Sequence, residues 1–215
     1  MPPLRLYWRP GTAASAPHAA LAEIGVPYEL IRVERETAQT DPDYLALNPL
    51  GVVPTLVVPT LSDGDLVLTE SAAILLYLAD CYPEAGLVPA QPVASERAQF
   101  YRWLVFMTNT LQTTLLRFLY PERYGTEGVG EIAAADAATY FDLIDRELDG
   151  RAWLVGEQRT AADLFLFMLT RWGRRLEPAA WERPNLRSHF LRTLELPGVR
   201  RMIDESDLEL PDWAV

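Results

Sequence analysis

The side chains able to do chemistry fall mainly in two stretches. Arg9-Pro10-Gly11-Thr12-Ala13-Ala14-Ser15 runs from an apolar segment into an alanine-rich one and carries two hydroxyls, Thr12 and Ser15, where a helix should begin. At a helix N-terminus a hydroxyl and the unbonded N–H groups can donate to an anion; either hydroxyl can equally serve as a cap. Glu70-Ser71 repeats the arrangement at the start of a second helical pattern. There the Ser71 hydroxyl and N–H groups suit a carboxylate and Glu70 suits an ammonium, while Thr69 or Ser71 could act simply as a cap. His18 lies one turn into the first helix and could titrate, although its position suits a histidine held by structural partners. His189, in a late helix far from these loops, receives no role. Cys81 ends a helical pattern and is expected to be buried and unreactive. As the one cysteine, it excludes an internal disulfide framework and any CxxC motif.

Composition narrows the setting. The 215 residues are 49% hydrophobic and 23% charged, enough for a substantial core in one long domain or two short ones. A formal net charge of -11 and a pI near 4.7 argue against nucleic-acid binding, which needs clustered Lys and Arg to displace phosphate counterions. The opening Met1-Pro-Pro-Leu-Arg-Leu-Tyr-Trp lacks a signal peptide's apolar stretch, and no run approaches the roughly 18 apolar residues of a membrane span. A cytoplasmic location without membrane partners is the expectation.

The elements that must position these side chains are legible in the periodicity. Leu4 to Tyr7 reads as a strand, the segment from about Ala14 to a Gly25 cap as a helix, and Tyr28-Glu-Leu-Ile-Arg-Val as a second strand, so a crossover implies parallel pairing. After a polar stretch from Glu34 to Asp43, the runs from Val53 and from Asp65 flank an Asp63-Gly64 turn signal, a hairpin. A helix from Glu70 to about Ala79 follows, with Ile74, Leu75 and Leu78 at helical spacing. Pro83, Pro89 and Pro92 mark a linker. Beyond it the pattern is helical: one long helix through Phe100, Trp103, Leu104, Met107, Leu111, Leu115 and Phe118 to Pro121, then helices over about 131–148, 160–176 and 186–194. The expected organisation is an α/β βαβ-ββα domain over 1–82, a linker over 83–92 and an all-α domain over 93–215.

This order, with Asn48-Pro49-Leu50-Gly51-Val52-Val53-Pro54, then Leu68-Thr69-Glu70-Ser71 and Ile74-Leu75-Leu76-Tyr77-Leu78, resembles the cytosolic glutathione transferases over nearly the whole chain. Tyr7-Trp8-Arg9-Pro10-Gly11, Pro17-His18 and Leu169-Thr-Arg171-Trp172 are most similar to the bacterial beta class. The resemblance implies a thioredoxin-like first domain that binds glutathione as co-substrate. Val53 would pair with the cysteinyl backbone of glutathione ahead of a cis Pro54, as an added strand would, and Glu70 and Ser71 would hold the γ-glutamyl group. A cation near the end of the second strand should take the glycine carboxylate; the beta-class lysine position falls on Glu36, leaving Arg35 or Arg32. An electrophile site between the domains would draw on Trp8, Phe106, Met107, Thr110 and Trp213.

Where the beta class carries a cysteine followed by serine, this chain has Ala13 and Ala14; where that class uses a histidine of the long helix, it has Gln112. The thiolate of glutathione, the working nucleophile, must then be held by Ser15, with Thr12 and the backbone N–H groups near Ala13 and Ala14 as alternatives. Tyr7, inside the strand pattern, is expected in the core. The implied activity is glutathione conjugation to small apolar electrophiles, a detoxifying transferase that needs no metal and works as a homodimer. Glutathione-dependent peroxidase or reductase activity, and non-catalytic binding of glutathione or apolar ligands, are the alternatives. Thr160-Ala-Ala-Asp163 is a capping-box pattern, in this family a folding element.

Overall fold

A computed structural model describes residues 2–60, 64–89, 94–125 and 127–214 and divides into two compact units, 1–85 with 196–215, and 86–195. The first is built on four strands in the order β2-β1-β3-β4: β1 (Leu4–Trp8), β2 (Tyr28–Arg32), β3 (Thr55–Val58) and β4 (Leu66–Thr69). β1 runs parallel to β2, as a connection through α1 (Ser15–Ile24) requires, and antiparallel to β3. β3 and β4 pair as a hairpin in the register Thr55 opposite Thr69. Of the turn expected there, Leu61 to Asp63 lie outside the described residues. Along β1 the alternation is strict: Leu4, Leu6 and Trp8 are buried, Arg5 and Tyr7 less so.

Alanines on the buried face of α1, Ala16, Ala19 and Ala20, permit close approach of the helix. Gly25, with φ of 76°, then stops the helix in the left-handed region that glycine enters without a Cβ clash. α4 (Ser71–Cys81) buries Ile74, Leu75, Leu78 and Ala79. Cys81, expected in the core, is exposed, because it closes the helix beside exposed Asp80 rather than continuing the buried stripe.

Two features of this unit were not anticipated. The polar stretch after β2 forms α2 (Arg35–Thr40) and α3 (Pro42–Leu47); Asp41 caps α3 by accepting the Asp43 N–H at 2.9 Å, and Pro42 takes the first position. Their buried residues Ala38 and Tyr44 join Val33 and Val53 in a small core on which Tyr7 and Leu47 pack. The other is α10 (Pro197–Ser206), which packs against α1. Residues 196–215, assigned from sequence to the helical domain, thus group with the first unit. Gly198 allows the approach: a Cβ there would lie 2.4 Å from the Glu23 nitrogen.

In the second unit α5 (Ala94–Phe106) and α6 (Thr113–Leu119) are the two halves of the expected long helix, separated by six residues, Met107–Gln112, wound as a π-helix. α7 (Val129–Glu147), α8 (Ala161–Trp172) and α9 (Pro184–Leu194) complete it. Every residue of α8 is buried, and Phe167 stacks on Phe190 of α9 at 4.5 Å between centroids. Among the described residues no helix is long and apolar enough to cross a membrane.

Candidate active site

The loop between β1 and α1 is a turn closed by its own threonine. Thr12 Oγ1 donates to the Arg9 carbonyl at 2.7 Å and accepts from the Ala14 N–H at 3.4 Å, while the Ser15 N–H donates to the Thr12 carbonyl at 3.1 Å. The Thr12 hydroxyl hydrogen is therefore committed. Ser15 is the first residue of α1, and among the described residues its hydroxyl has no hydrogen-bond partner. Ala14, at the cap position, has no side chain to serve the N–H groups of the first turn, and the first helical bond runs from His18 N–H to Ala14 C=O. The turn so presents a free hydroxyl and an uncapped positive helix end.

α4 begins in the same way. Glu70 at its cap position makes no capping bond, and the first helical bond, Ile74 N–H to Glu70 C=O at 2.9 Å, leaves the preceding N–H groups unserved by the helix. Glu70 holds φ of 69° and ψ of 115°, a conformation a residue with a Cβ seldom adopts and one that concentrates at ligand sites. Its carboxylate is exposed. Buried Ser71 donates its hydroxyl hydrogen to the Ala13 carbonyl at 2.8 Å, which brings the two helix N-termini to one place.

The third component is the loop before β3. Asn48 Nδ2 donates to the Val52 carbonyl at 2.7 Å and to Thr55 Oγ1 at 3.1 Å; the Tyr44 hydroxyl donates to the same carbonyl at 2.6 Å and lies 3.0 Å from Thr55 Oγ1. Gly51, with φ of 61°, passes so close to α2 that a Cβ would meet the Ala38 carbonyl at 2.7 Å. The Val53–Pro54 peptide is cis, as the resemblance implies. Val53 lies outside the strand ladder, and among the described residues its backbone makes no hydrogen bond. Burial pushes the Tyr44 phenol pKa up, although its bonds to Thr55 and Asn48 and the charge of Arg9 pull the other way. Tyr44 and the side-chain role of Asn48 escaped sequence reading, since neither is chemically distinctive apart from its partners.

The remaining predicted residues are dispersed. Trp8 is buried, its ring 5.6 Å from that of His18, so it presents little open surface. His18 Nε2 lies 2.7 Å from Glu205 Oε2 on α10, an oxygen that also accepts the Tyr28 hydroxyl at 2.6 Å; Arg201 Nε donates to Glu205 Oε1 at 2.8 Å. Burial lowers the His18 pKa despite Glu205, and its Nδ1 is buried without a partner among the described residues. Both facts assign a neutral ring with its proton on Nε2. Arg35 is exposed at the start of α2, and Arg32 pairs with Glu34 at 2.6 Å. In the second unit Phe106 stands edge-on to Trp103 and Tyr140, and Thr110 is partly exposed. Met107 is fully buried, so as a pocket wall it is corrected to a core residue; it points inward with Leu111. Trp213 is partly exposed in a terminal turn of the first unit.

Comparison with known proteins supplies the family. Residues 2–80 match the model of the glutathione S-transferase N-terminal domain, and residues 106–197 that of the C-terminal domain. Glutathione S-transferase GST-4.5 of Xanthomonas campestris is 37% identical over 174 residues, covering 79% of this chain and 82% of the relative. A glutathione S-transferase from Xylella fastidiosa superposes with a TM-score of 0.84 at 27% identity, covering 96% of this chain and all of that one. A sphingomonad glutathione S-transferase solved in complex with glutathione gives a TM-score of 0.83 at 29% identity, covering 95% of this chain and 100% of its own. With both domain models matched in order and a relative aligned over most of its length, this chain belongs to the glutathione S-transferase family.

Proposed function

We propose that the protein binds glutathione in its first unit and transfers the thiolate to small apolar electrophiles. The observation that carries the reading is the convergence of two uncapped helix N-termini through the Ser71–Ala13 bond. The N–H groups of α4 would take the γ-glutamyl carboxylate and exposed Glu70 its ammonium, since both charges leave one carbon. Val53 would pair with the cysteinyl backbone. The sulfur then falls to the start of α1, where Ser15 offers the one hydroxyl of the turn whose hydrogen is not already committed.

Donation from Ser15 and the helix end stabilises the thiolate over the thiol, lowering its pKa. The sulfur lone pair then forms a C–S bond at the electrophilic carbon, and the leaving group departs with the displaced electron pair. Phe106 and Thr110 are the electrophile contacts we assign to the helical unit. We read the protein as a homodimer, a reading supported by exposed Leu50 and Val52 in one unit and Tyr101 and Val105 in the other, and as a cytoplasmic detoxifying enzyme, in keeping with a lone cysteine.

Titration of thiolate absorbance with bound glutathione tests the activation step. A midpoint at least one unit below the free thiol's value of about 8.5 is expected. A midpoint at or above that value would make the protein a binder that does not activate its ligand.

A further inference from the structure

The helical unit holds a cavity of about 440 Å³ between α5 and the loop that leads from α7 into α8. That volume is in the range of small-molecule sites. Glu96, Gln99 and Trp103 form its α5 wall, three and four residues apart and so on one face of the helix. The opposite wall has an apolar floor, buried Leu154 and Val155, and a charged rim of Glu147, Arg151 and Glu157. None of these residues belongs to the glutathione site proposed above.

Two kinds of group on these walls lack partners. Trp103 is 1% exposed, and its indole Nε1–H is buried without an acceptor among the described residues. A buried indole N–H ordinarily has one, because desolvation without an acceptor is costly. A long side chain on a helix leans toward the N-terminus, which carries the Trp103 ring back over the turn of Gln99 and towards Glu96. Arg102 lies over the indole at 4.3 Å and donates to Gln99 Oε1 at 3.1 Å, which holds the ring by its face and leaves its edge to a guest.

The other unpartnered groups are carboxylates. Glu147 pairs with Arg151 at 3.4 Å, but Glu96 and Glu157 make no side-chain hydrogen bond or ion pair among the described residues. Glu96 is only partly exposed and rests against Gly156, where a Cβ would meet its Oε2 at 3.0 Å. With three carboxylates to one guanidinium on its walls, the cavity attracts a cation. Among the described residues no group of His, Cys, Asp and Glu is gathered closely enough to hold a metal ion. Dispersed acceptors suit an ammonium instead, whose three N–H donors diverge.

We infer that this cavity binds a small organic ammonium ion that also carries an oxygen acceptor, such as an amino amide. The ammonium pairs with Glu96 and Glu157, the oxygen accepts from Trp103 Nε1, and the methylenes between them cover Leu154 and Val155.

The test follows the indole N–H signals of the full chain in proton–nitrogen correlation spectra. Of the six tryptophans, Trp103 is identified by the signal lost in Trp103→Phe or, if that variant does not fold, by backbone assignment of the wild type. Three probes are titrated: δ-aminovaleramide, pentylamine, which lacks the oxygen, and valeramide, which lacks the charge. The expected result is a saturable shift of the Trp103 signal by δ-aminovaleramide, with a Kd at least about tenfold below that of either control. Glu96→Gln and Glu157→Gln should each raise that Kd about fivefold. A Trp103 signal unmoved by δ-aminovaleramide at about 50 mM would overturn the inference. So would a shift confined to another indole, an equal response to valeramide, or a Kd unchanged in both glutamine variants.

Discussion

Ser71 Oγ donates to the Ala13 carbonyl at 2.8 Å, joining the start of α4 to the turn that opens α1 across 58 residues of sequence. The bond changes how an anion would be held at α4. A hydroxyl that has given its hydrogen to a carbonyl retains only lone pairs, and lone pairs repel a carboxylate. The donors left for the γ-glutamyl carboxylate are the backbone N–H groups of the first turn. Ser71 thus acts first as a tie that keeps the two helix ends in register.

Ser71→Ala should therefore weaken glutathione binding without abolishing it. The N–H donors survive, but the tie to Ala13 is lost and its carbonyl is left without this partner, a change of about 1–2 kcal/mol. That corresponds to roughly a tenfold rise in Kd, readable by calorimetry. An unchanged Kd would mean that the register of the two loops is set elsewhere.

The two hydroxyls of the opening turn are separable by the same logic. Ser15→Ala should raise the thiol pKa of bound glutathione by about one unit, equivalent to about 1.4 kcal/mol, with a parallel fall in kcat at neutral pH. Thr12→Val should chiefly loosen the turn, because the Thr12 hydroxyl is spent on the Arg9 carbonyl; its effect belongs in the melting temperature. The opposite pattern, a pKa change in Thr12→Val alone, would transfer the donor role to Thr12.

How much of this was legible beforehand depended on whether the information is local. β1, α1 and the hairpin follow from alternation and from Gly25, each a property of a few consecutive residues. α2 and α3 escaped because their apolar residues are too sparse for periodicity; they are held by a capping aspartate and by burial of Ala38 and Tyr44 against a core that exists only in three dimensions. α10 escaped because its partner, α1, lies at the other end of the chain. The site shows the same division. Val53, Glu70 and Ser71 stand in recognisable motifs, but the competition between Thr12 and Ser15 turns on where one hydroxyl hydrogen goes.

Stability should depend on acid through the cluster joining α1 to α10. His18 has its pKa lowered by burial, so below about pH 6.5 the unfolded chain binds a proton that the folded one refuses, and stability falls as pH falls. Glu205 is held down to about 2: burial would raise it, but the bonds from Tyr28, His18 and Arg201 together prevail. Its contribution is complete above its ordinary value of 4.5 and is lost as pH falls from there towards 2. Glu205→Gln should lower Tm at pH 7, and its difference from the wild type should shrink through that lower window. A Tm difference constant from pH 7 to pH 2 would show that the carboxylate charge does not carry the effect.

Asp163 provides the contrast of a buried acid to which we assign a structural role alone. Its Oδ1 accepts the Leu154 N–H at 2.9 Å and lies 2.9 Å from His189 Nε2; its Oδ2 accepts the Thr160 N–H at 2.7 Å and the Thr160 hydroxyl at 3.1 Å. All four partners belong to the helical unit and centre on the start of α8, a helix whose every residue is buried. Asp163→Ala removes an acceptor from every one of these donors at a position closed to bulk solvent. A loss of about 3–5 kcal/mol follows for breaking such a buried cluster from one side. In a chain of this length that is on the order of 10 °C in Tm. His189, which sequence reading left without a role, should show the same signature in His189→Ala at smaller amplitude, since only one of the four bonds depends on it. Below the melting transition both variants should bind glutathione as the wild type does, because Asp163 and His189 touch none of the residues proposed to hold the ligand. A fall in affinity at unchanged Tm would reverse the assignment, making Asp163 a ligand-site residue rather than the hub of a folding element.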